Sequence, residues 1–223
     1  MTTSSDSHSW YQDLLDGESD EASELYQILA DERRRVLLNV LDQSNMPVTE
    51  LELARLVASH ELGNTPENVT FSAQERVQIS LHHVHLPRLE AHGLIERTTG
   101  GSITRTQHSF WTDSDLRTLL TEPDVDPAIV TATLDLLTSH QCRVILAVLH
   151  DYKNTTIGKL AEELAGTPIS GQEIGKVLIA LRHRHLPKLA AANVIEMDAT
   201  GVRVRYMGND FLERWFTELQ RRR

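Results

Sequence analysis

A sixteen-residue segment that occurs twice constrains this chain more than any other feature. Leu81 to Glu96, LHHVHLPRLEAHGLIE, matches Leu181 to Glu196, LRHRHLPKLAAANVIE, at an offset of 100, with nine identical positions. These are Leu81, His83, His85, Leu86, Pro87, Leu89, Ala91, Ile95 and Glu96, each with its counterpart. Upstream, Arg35 to Leu41 matches Arg143 to Leu149 at an offset of 108, so the first copy holds eight extra residues between the two blocks. Ser59 to Ser72, with Gly63, Asn64 and Pro66, reads as the loop that holds them. Two copies of one structural unit follow. The expected organisation is an acidic leading segment (1–21), a first domain (22–111), a helix and linker (112–127), a second domain (128–208) and a C-terminal amphipathic helix (209–223).

Each copy shows the same order of elements. In the first, Leu25, Ile28 and Leu29 suggest a leading helix, and Asp31 can cap a second helix carrying Val36, Leu37, Val40 and Leu41 at helical spacing. Thr49 can cap a third helix, and a fourth spans about 73 to 91, ended by Gly93 in a left-handed conformation. A hairpin then turns at Gly100-Gly101. The second copy repeats this with helices at 140–151, 157–165 and about 171–192, and a hairpin turning near Ala199 to Gly201. Ser72-Ala73-Gln74-Glu75 and Ser170-Gly171-Gln172-Glu173 have the capping-box form. The fold class expected is mainly α with small β-hairpin wings (α+β), as two tandem winged helix-turn-helix domains.

Charge decides which partners are plausible. The 223 residues carry 32 acids and 22 bases, a formal charge of -10. Of the basic residues 18 are Arg, and this acidic, Lys-poor balance resembles proteins of salt-in halophilic archaea. Residues 1 to 31 hold eight acids and no Lys or Arg, leaving -2 on the remaining 192 residues. Global acidity therefore says little about the folded part. No apolar stretch approaches the ~18 residues needed to cross a bilayer, and the N-terminus lacks a signal-peptide pattern, so a cytoplasmic protein without membrane contact is expected. Cys142 is the only cysteine, which excludes an intramolecular disulfide and a multi-cysteine zinc site.

Leu29-Ala30-Asp31-Glu32-Arg33-Arg34-Arg35-Val36-Leu37 resembles the opening helix of ArsR-type repressors, and His85-Leu86-Pro87-Arg88-Leu89-Glu90-Ala91-His92-Gly93-Leu94-Ile95 resembles their recognition-helix end and wing entry. The chain is closer still to a winged-helix domain of haloarchaeal proteins that carries a similar His-x-His-Leu-Pro-x-Leu signature, often in tandem. It departs from ArsR repressors in lacking a cysteine metal-sensing motif. The resemblance implies DNA-binding transcriptional regulation with double-stranded DNA as partner.

The residues support that reading in their own right. From Lys176 to Arg205 the second copy carries Lys176, Arg182, Arg184, Lys188, Arg203 and Arg205 against Glu196 and Asp198, a net +4 inside an acidic protein. A basic helix and wing form the electrostatic footprint of a nucleic-acid reader. Arg203 and Arg205 alternate with Val202 and Val204 and so share one strand face. The first copy offers Arg76, Arg88, Arg97 and Arg105, with Gln74, Gln78 and His82 as polar base readers.

The HHVH and RHRH runs invite a metal reading, but residues i and i+2 point about 200° apart on a regular helix. Pro87 and Pro187 distort the helix at the His83 and His183 carbonyls, so the paired histidines are expected to hydrogen-bond backbone at that kink, with no metal and no cofactor. Cys142 is expected in or beside the second core. Without a Gly-rich phosphate loop, HExxH, GxSxG or CxxC, no catalytic residue and no enzyme are expected.

Phe211, Leu212, Trp215, Phe216 and Leu219 form an apolar stripe that must be covered, either by its own domain or as a homodimer seam. Phe110, Trp111, Leu116, Leu119 and Leu120 suggest a comparable helix before the linker TEPDVDP. Arg221 to Arg223 can reach phosphate or fray. Two functions remain: a sequence-specific DNA-binding regulator, and a protein–protein interaction adaptor whose winged helices no longer bind DNA.

Overall fold

The computed structural model describes residues 19–44, 46–113, 117, 125–165 and 173–221. The expectations for residues 1–18, for Leu116, Leu119, Leu120 and 121–124 of the linker, for Ser170, Gly171 and Gln172 of the second capping box, and for Arg222 and Arg223 lie outside the described residues. The chain is mainly helical with two small antiparallel sheets. It divides into two compact units, Met1–Ala30 with Val125–Arg223, and Asp31–Asp124.

The first described helix, α1 (Ser19–Leu29), is expected from sequence to lead the first copy, yet it belongs to the unit built by the second. In the unit Asp31–Asp124, Asp31 accepts the Arg34 N–H at 3.0 Å and starts α2 (Glu32–Gln43). Thr49 accepts the Glu52 N–H at 3.2 Å and starts α3 (Glu50–Leu62). Each cap satisfies a backbone donor that has no partner inside its helix. Helix α3 runs four residues into the expected Ser59–Ser72 loop, because Glu61 and Leu62 are good helix formers and Gly63, at φ 61°, is the first left-handed stop.

Helix α4 (Phe71–Ser80) is capped by Thr70, whose hydroxyl accepts the Ala73 N–H at 3.3 Å. This corrects the expected Ser72 capping box: Thr70 supplies the same oxygen two residues earlier. A π-helical turn, Leu81–His85, follows, and then α5 (Leu86–Ala91). Pro87 has no N–H, and its ring would clash with the carbonyl four residues back. The helix widens instead, so that the Leu86 N–H donates to the Leu81 carbonyl five residues back. Gly93 ends it at φ 65°. Strands β1 (Ile95–Arg97) and β2 (Ile103–Arg105) form the hairpin, with Ile95 opposite Arg105. Val48 adds a single bridge to Ile103.

In the other unit, α6 (Pro127–Leu137) and α7 (His140–Tyr152) are capped by Asp126 and Ser139. Strand β3 (Asn154–Thr156) precedes α8 (Ile157–Ala165). Helix α9 (Ile174–Ala180), a second π turn (Leu181–His185) and α10 (Leu186–Ala191) reproduce the interrupted long helix, which starts three residues later than expected. Asn193 takes the left-handed stop at φ 57° where the first copy has Gly93. Strands β4 (Ile195–Met197) and β5 (Arg203–Tyr206) complete a sheet of order β3-β5-β4. The third strand has only the Val48 bridge as its counterpart in the first copy, and three residues are too few to announce themselves by alternation.

The bounds of α1 and α6 are 108 residues apart at both ends, so these helices are copies of one another, and they pack together. The C-terminal helix α11 (Asp210–Arg221) closes over them. Its Trp215 Nε1 donates to the Tyr26 hydroxyl at 2.8 Å. Buried Arg143 donates to Ser23 Oγ at 3.0 Å and to the Leu137 carbonyl at 2.6 Å, with its guanidinium 5.6 Å from the Tyr26 ring centroid. These contacts explain why α1 leaves the first copy. Phe211, Leu212, Trp215 and Phe216 are buried and Leu219 is half-buried, so the stripe is covered within the chain and needs no homodimer seam. Among the described residues no helix is long and apolar enough to cross a membrane.

Candidate nucleic-acid interface

The outer face of the second copy's long helix is built by the π turn as much as by α9. Leu181 and His185 point inward at the two ends of the turn, which leaves Arg182, His183 and Arg184 exposed between them. Lys176 on α9 and Lys188 on α10 are also exposed. Among the described residues no carboxylate lies within ion-pair distance of Lys176, Arg182, Arg184 or Lys188. Four cations without a carboxylate partner among the described residues therefore share one interrupted helix. Ile174, at 47% exposure, and Ile179, at 63%, lie among them.

The hairpin arginines behave differently. Arg203 and Arg205 alternate with buried Val204 and Tyr206, as the period of a strand requires. Arg205 is hydrogen-bonded to Glu196 on the neighbouring strand. Asp198 accepts the Val202 and Arg203 N–H groups at 2.9 and 3.0 Å. Hydrogen bonds from Thr200 and these backbone groups, with the Arg203 charge, hold the Asp198 carboxyl below its ordinary range. The sheet edge thus carries mixed charge, and the open groove of about 510 Å³ beside it is lined by Lys159, Arg203 and Arg205 together with Glu196 and Asp198.

In the first copy two of the four expected arginines are already paired. Glu50, at the start of α3, accepts from Arg97 at 3.1 Å and holds His82 Nδ1 at 3.0 Å. Glu90 takes the Arg97 Nε at 2.7 Å. Asp42 binds Arg105 at 2.7 Å and Arg117 at 2.6 Å, while the Arg105 guanidinium lies 5.5 Å from the Trp111 ring centroid. Gln74 donates to the Leu51 carbonyl at 2.9 Å, and Gln78 is half-buried. Arg76 is exposed and Arg88 half-buried, and neither has a carboxylate within ion-pair distance among the described residues. Of the residues expected to read DNA, the structure therefore presents Lys176, Arg182, Arg184, Lys188, Arg76 and Arg88 as available cations. Arg97, Arg105 and Arg205 sit in ion pairs, and His82 is hydrogen-bonded to Glu50.

The histidine runs divide. His83 and His183 are exposed, whereas His85 and His185 are buried. His85 Nε2 lies 3.0 Å from Ser80 Oγ, and Nδ1 lies 3.6 Å from Asp31. Burial pushes the His85 imidazole below its ordinary value; Asp31 opposes this, and Arg34 and Arg33 add to it. His185 Nδ1 lies 3.8 Å from the buried Cys142 sulfur, and burial, then Arg184 and Lys188, lower its affinity for a proton. These partners are side chains, which corrects the expected backbone bonds: His85 bonds Ser80 of its own interrupted helix and lies beside Asp31 at the start of α2, and His185 lies beside Cys142 at the start of α7. Among the described residues no three His, Cys, Asp or Glu side chains gather to hold a metal ion.

Sequence reasoning missed the buried arginines. Arg34 and Arg35 in the first copy and Arg143 in the second are buried. The recurrence of Arg35 as Arg143 inside an otherwise apolar block was the available signal.

Fold and surface together define a class: a tandem of two small α+β units, each with a π-interrupted long helix leading into a hairpin, the second of which presents the larger set of cations without a carboxylate partner among the described residues. The family follows from residues 26–102 and 134–205, which both match the domain of unknown function DUF7344. The chain belongs to this family and carries its domain twice, the two matches starting 108 residues apart. No curated protein matches the chain. No solved structure matches it either.

Proposed function

We propose that this protein is a non-enzymatic, DNA-binding transcriptional regulator whose two domains are winged helix-turn-helix units, with the second domain making most of the contacts. The observation that carries this reading is the set Lys176, Arg182, Arg184 and Lys188, four exposed cations on one long helix with no carboxylate partner among the described residues, in a chain whose formal charge is -10. Unpaired cations bind phosphate without first breaking an internal ion pair, and each phosphate neutralised releases counterions. In the winged-helix reading this helix enters the major groove, and the β4–β5 wing, with Arg203 and Arg205, lies along the backbone. The resemblance to ArsR-type and haloarchaeal winged-helix proteins supports the same assignment. Salt-rich solvent, with a Debye length of ~3 Å at 1 M, makes close contacts decide binding rather than global acidity.

Fluorescence polarisation with duplex DNA over a salt series tests this. The Arg182→Ala, Arg184→Ala double variant is expected to bind at least tenfold more weakly at low salt and to show a log K against log salt slope shallower by about 1.8. Equal slopes for the two proteins would overturn the assignment.

A second reading, a protein-interaction adaptor, is favoured by the first copy alone. Phe71, Ile79 and Val84 are 75%, 56% and 54% exposed there, beside charges that are already paired. Such exposed apolar side chains suit a protein partner better than phosphate.

A further inference from the structure

Residues 1–18, MTTSSDSHSWYQDLLDGE, combine the acids Asp6, Asp13, Asp16 and Glu18 with Trp10, Tyr11, Leu14 and Leu15, and contain no Lys or Arg. The apolar four fall at i, i+1, i+4 and i+5, the spacing of a single helical stripe with Asp13 beside it. The outer face of α9 and its π turn has the opposite character: exposed Ile174 and Ile179 with half-buried Leu178, flanked by Lys176, Arg182, Arg184 and Lys188. Acid meets base, and apolar meets apolar.

We infer that residues 1–18 dock on this face of the second copy and compete there with DNA. The competition rests on the function proposed above, whereas the docking stands on its own observations. The point from which the segment leaves the fold favours this face. Helix α1 begins at Ser19, and Ser23 is held by Arg143 at 3.0 Å, within the unit that contains α9. One residue before Arg143, Cys142 touches His185 at 3.8 Å, and His185 adjoins Arg184. The segment thus starts from the same unit as the cationic turn, and eighteen residues, which span up to ~60 Å when extended, give it the length to reach that face. Four acids against four unpaired cations give the attraction its sign, and salt weakens it.

The lysine content allows a clean test, because the chain has only Lys153, Lys159, Lys176 and Lys188. Zero-length carbodiimide crosslinking of the full chain at low ionic strength, followed by peptide mass spectrometry, is expected to join Asp13, Asp16 or Glu18 to Lys176 or Lys188. The Arg182→Glu, Arg184→Glu variant is expected to lose these crosslinks. Crosslinks from the segment only to Lys153 or Lys159, or none from it at all, would overturn the docking. A second arm reads the competition: the Asp13→Asn, Asp16→Asn, Glu18→Gln variant is expected to bind duplex DNA several-fold more tightly than the unaltered chain. Unchanged affinity with the crosslinks present in the unaltered chain would overturn competition. Crosslinks in a chain that binds no duplex DNA in either form would leave the docking standing and sink the DNA-binding function.

Discussion

The two copies have the same interrupted helix and hairpin and place their charges in opposite ways. In the first, Glu50 stands at the start of α3, one residue after the capping Thr49, and holds both the His82 ring and the Arg97 guanidinium. In the second, Thr156 accepts the Lys159 N–H as the matching cap, and the residue after it is Ile157, buried at 1% exposure. No carboxylate occupies the equivalent place. Two substitutions on the π turn, Arg182 for His82 and Arg184 for Val84, together with the loss of the Glu50 carboxylate, make the second face more cationic while the backbone stays the same. Divergence of a duplicated domain in this case acts through surface charge more than through fold.

The comparison breaks first at the level of the cores. Leu81 and Leu181 are both buried at the start of their π turns, so Leu81→Ala and Leu181→Ala are each expected to cost about 2–5 kcal/mol in chemical denaturation. Clearly unequal costs would show that the copies are not equivalent even in packing. Next, Arg143→Ala leaves the Leu137 carbonyl and the Ser23 hydroxyl without this donor, at an expected cost of about 2–3 kcal/mol in the same measurement. A loss under half that size would mean that α1 holds its place without the arginine.

Charge comes next in size. Arg97→Ala is expected to change DNA affinity less than about twofold, against the tenfold or greater loss proposed for the second copy's arginines, because the Arg97 charge is already committed to Glu50 and Glu90. The converse sharpens the contrast: Glu50→Gln removes the carboxylate beside His82 and one of the two carboxylates on Arg97, and is expected to raise affinity by about twofold to fivefold in a polarisation titration, at most roughly the gain of one phosphate contact at moderate salt. No gain would remove Glu50 from its role.

The smallest effect is that of pH. His85 and His185 are held below the ordinary histidine value, chiefly by burial, so the unfolded chain takes up protons first as the solution is acidified. Stability from these groups is complete above the ordinary value near 6.5 and is lost as pH falls from there toward the folded values. Urea midpoints at pH 7.5 and 5.5 should differ in that direction, and His185→Gln should narrow the gap. In the first copy Asp31 offsets part of the loss, whereas Arg184 and Lys188 deepen it in the second.

What the sequence showed clearly was local. Asp31, Thr49, Gly93 and Asn193 act where the chain order places them, since a cap needs only its own neighbours. The proline signal was legible as a distortion, though not as a π turn repeated at the same five positions. What was hidden is long-range. Glu50 and Arg97 are 47 residues apart and Asp42 and Arg105 are 63 apart, so no pattern in the chain announces that the hairpin arginines are paired. The destination of α1 was hidden for the same reason, because its deciding contact joins Tyr26 to Trp215.

That contact has a practical corollary for dissecting the molecule. The unit built on the second copy is discontinuous in the gene: it needs the helix ending at Leu29 as well as everything from Val125 onward. A fragment cut at the repeat boundary would strip Tyr26 from Trp215 and Ser23 from Arg143, whereas a circular permutant that carries residues 19–30 after Arg221 would restore both.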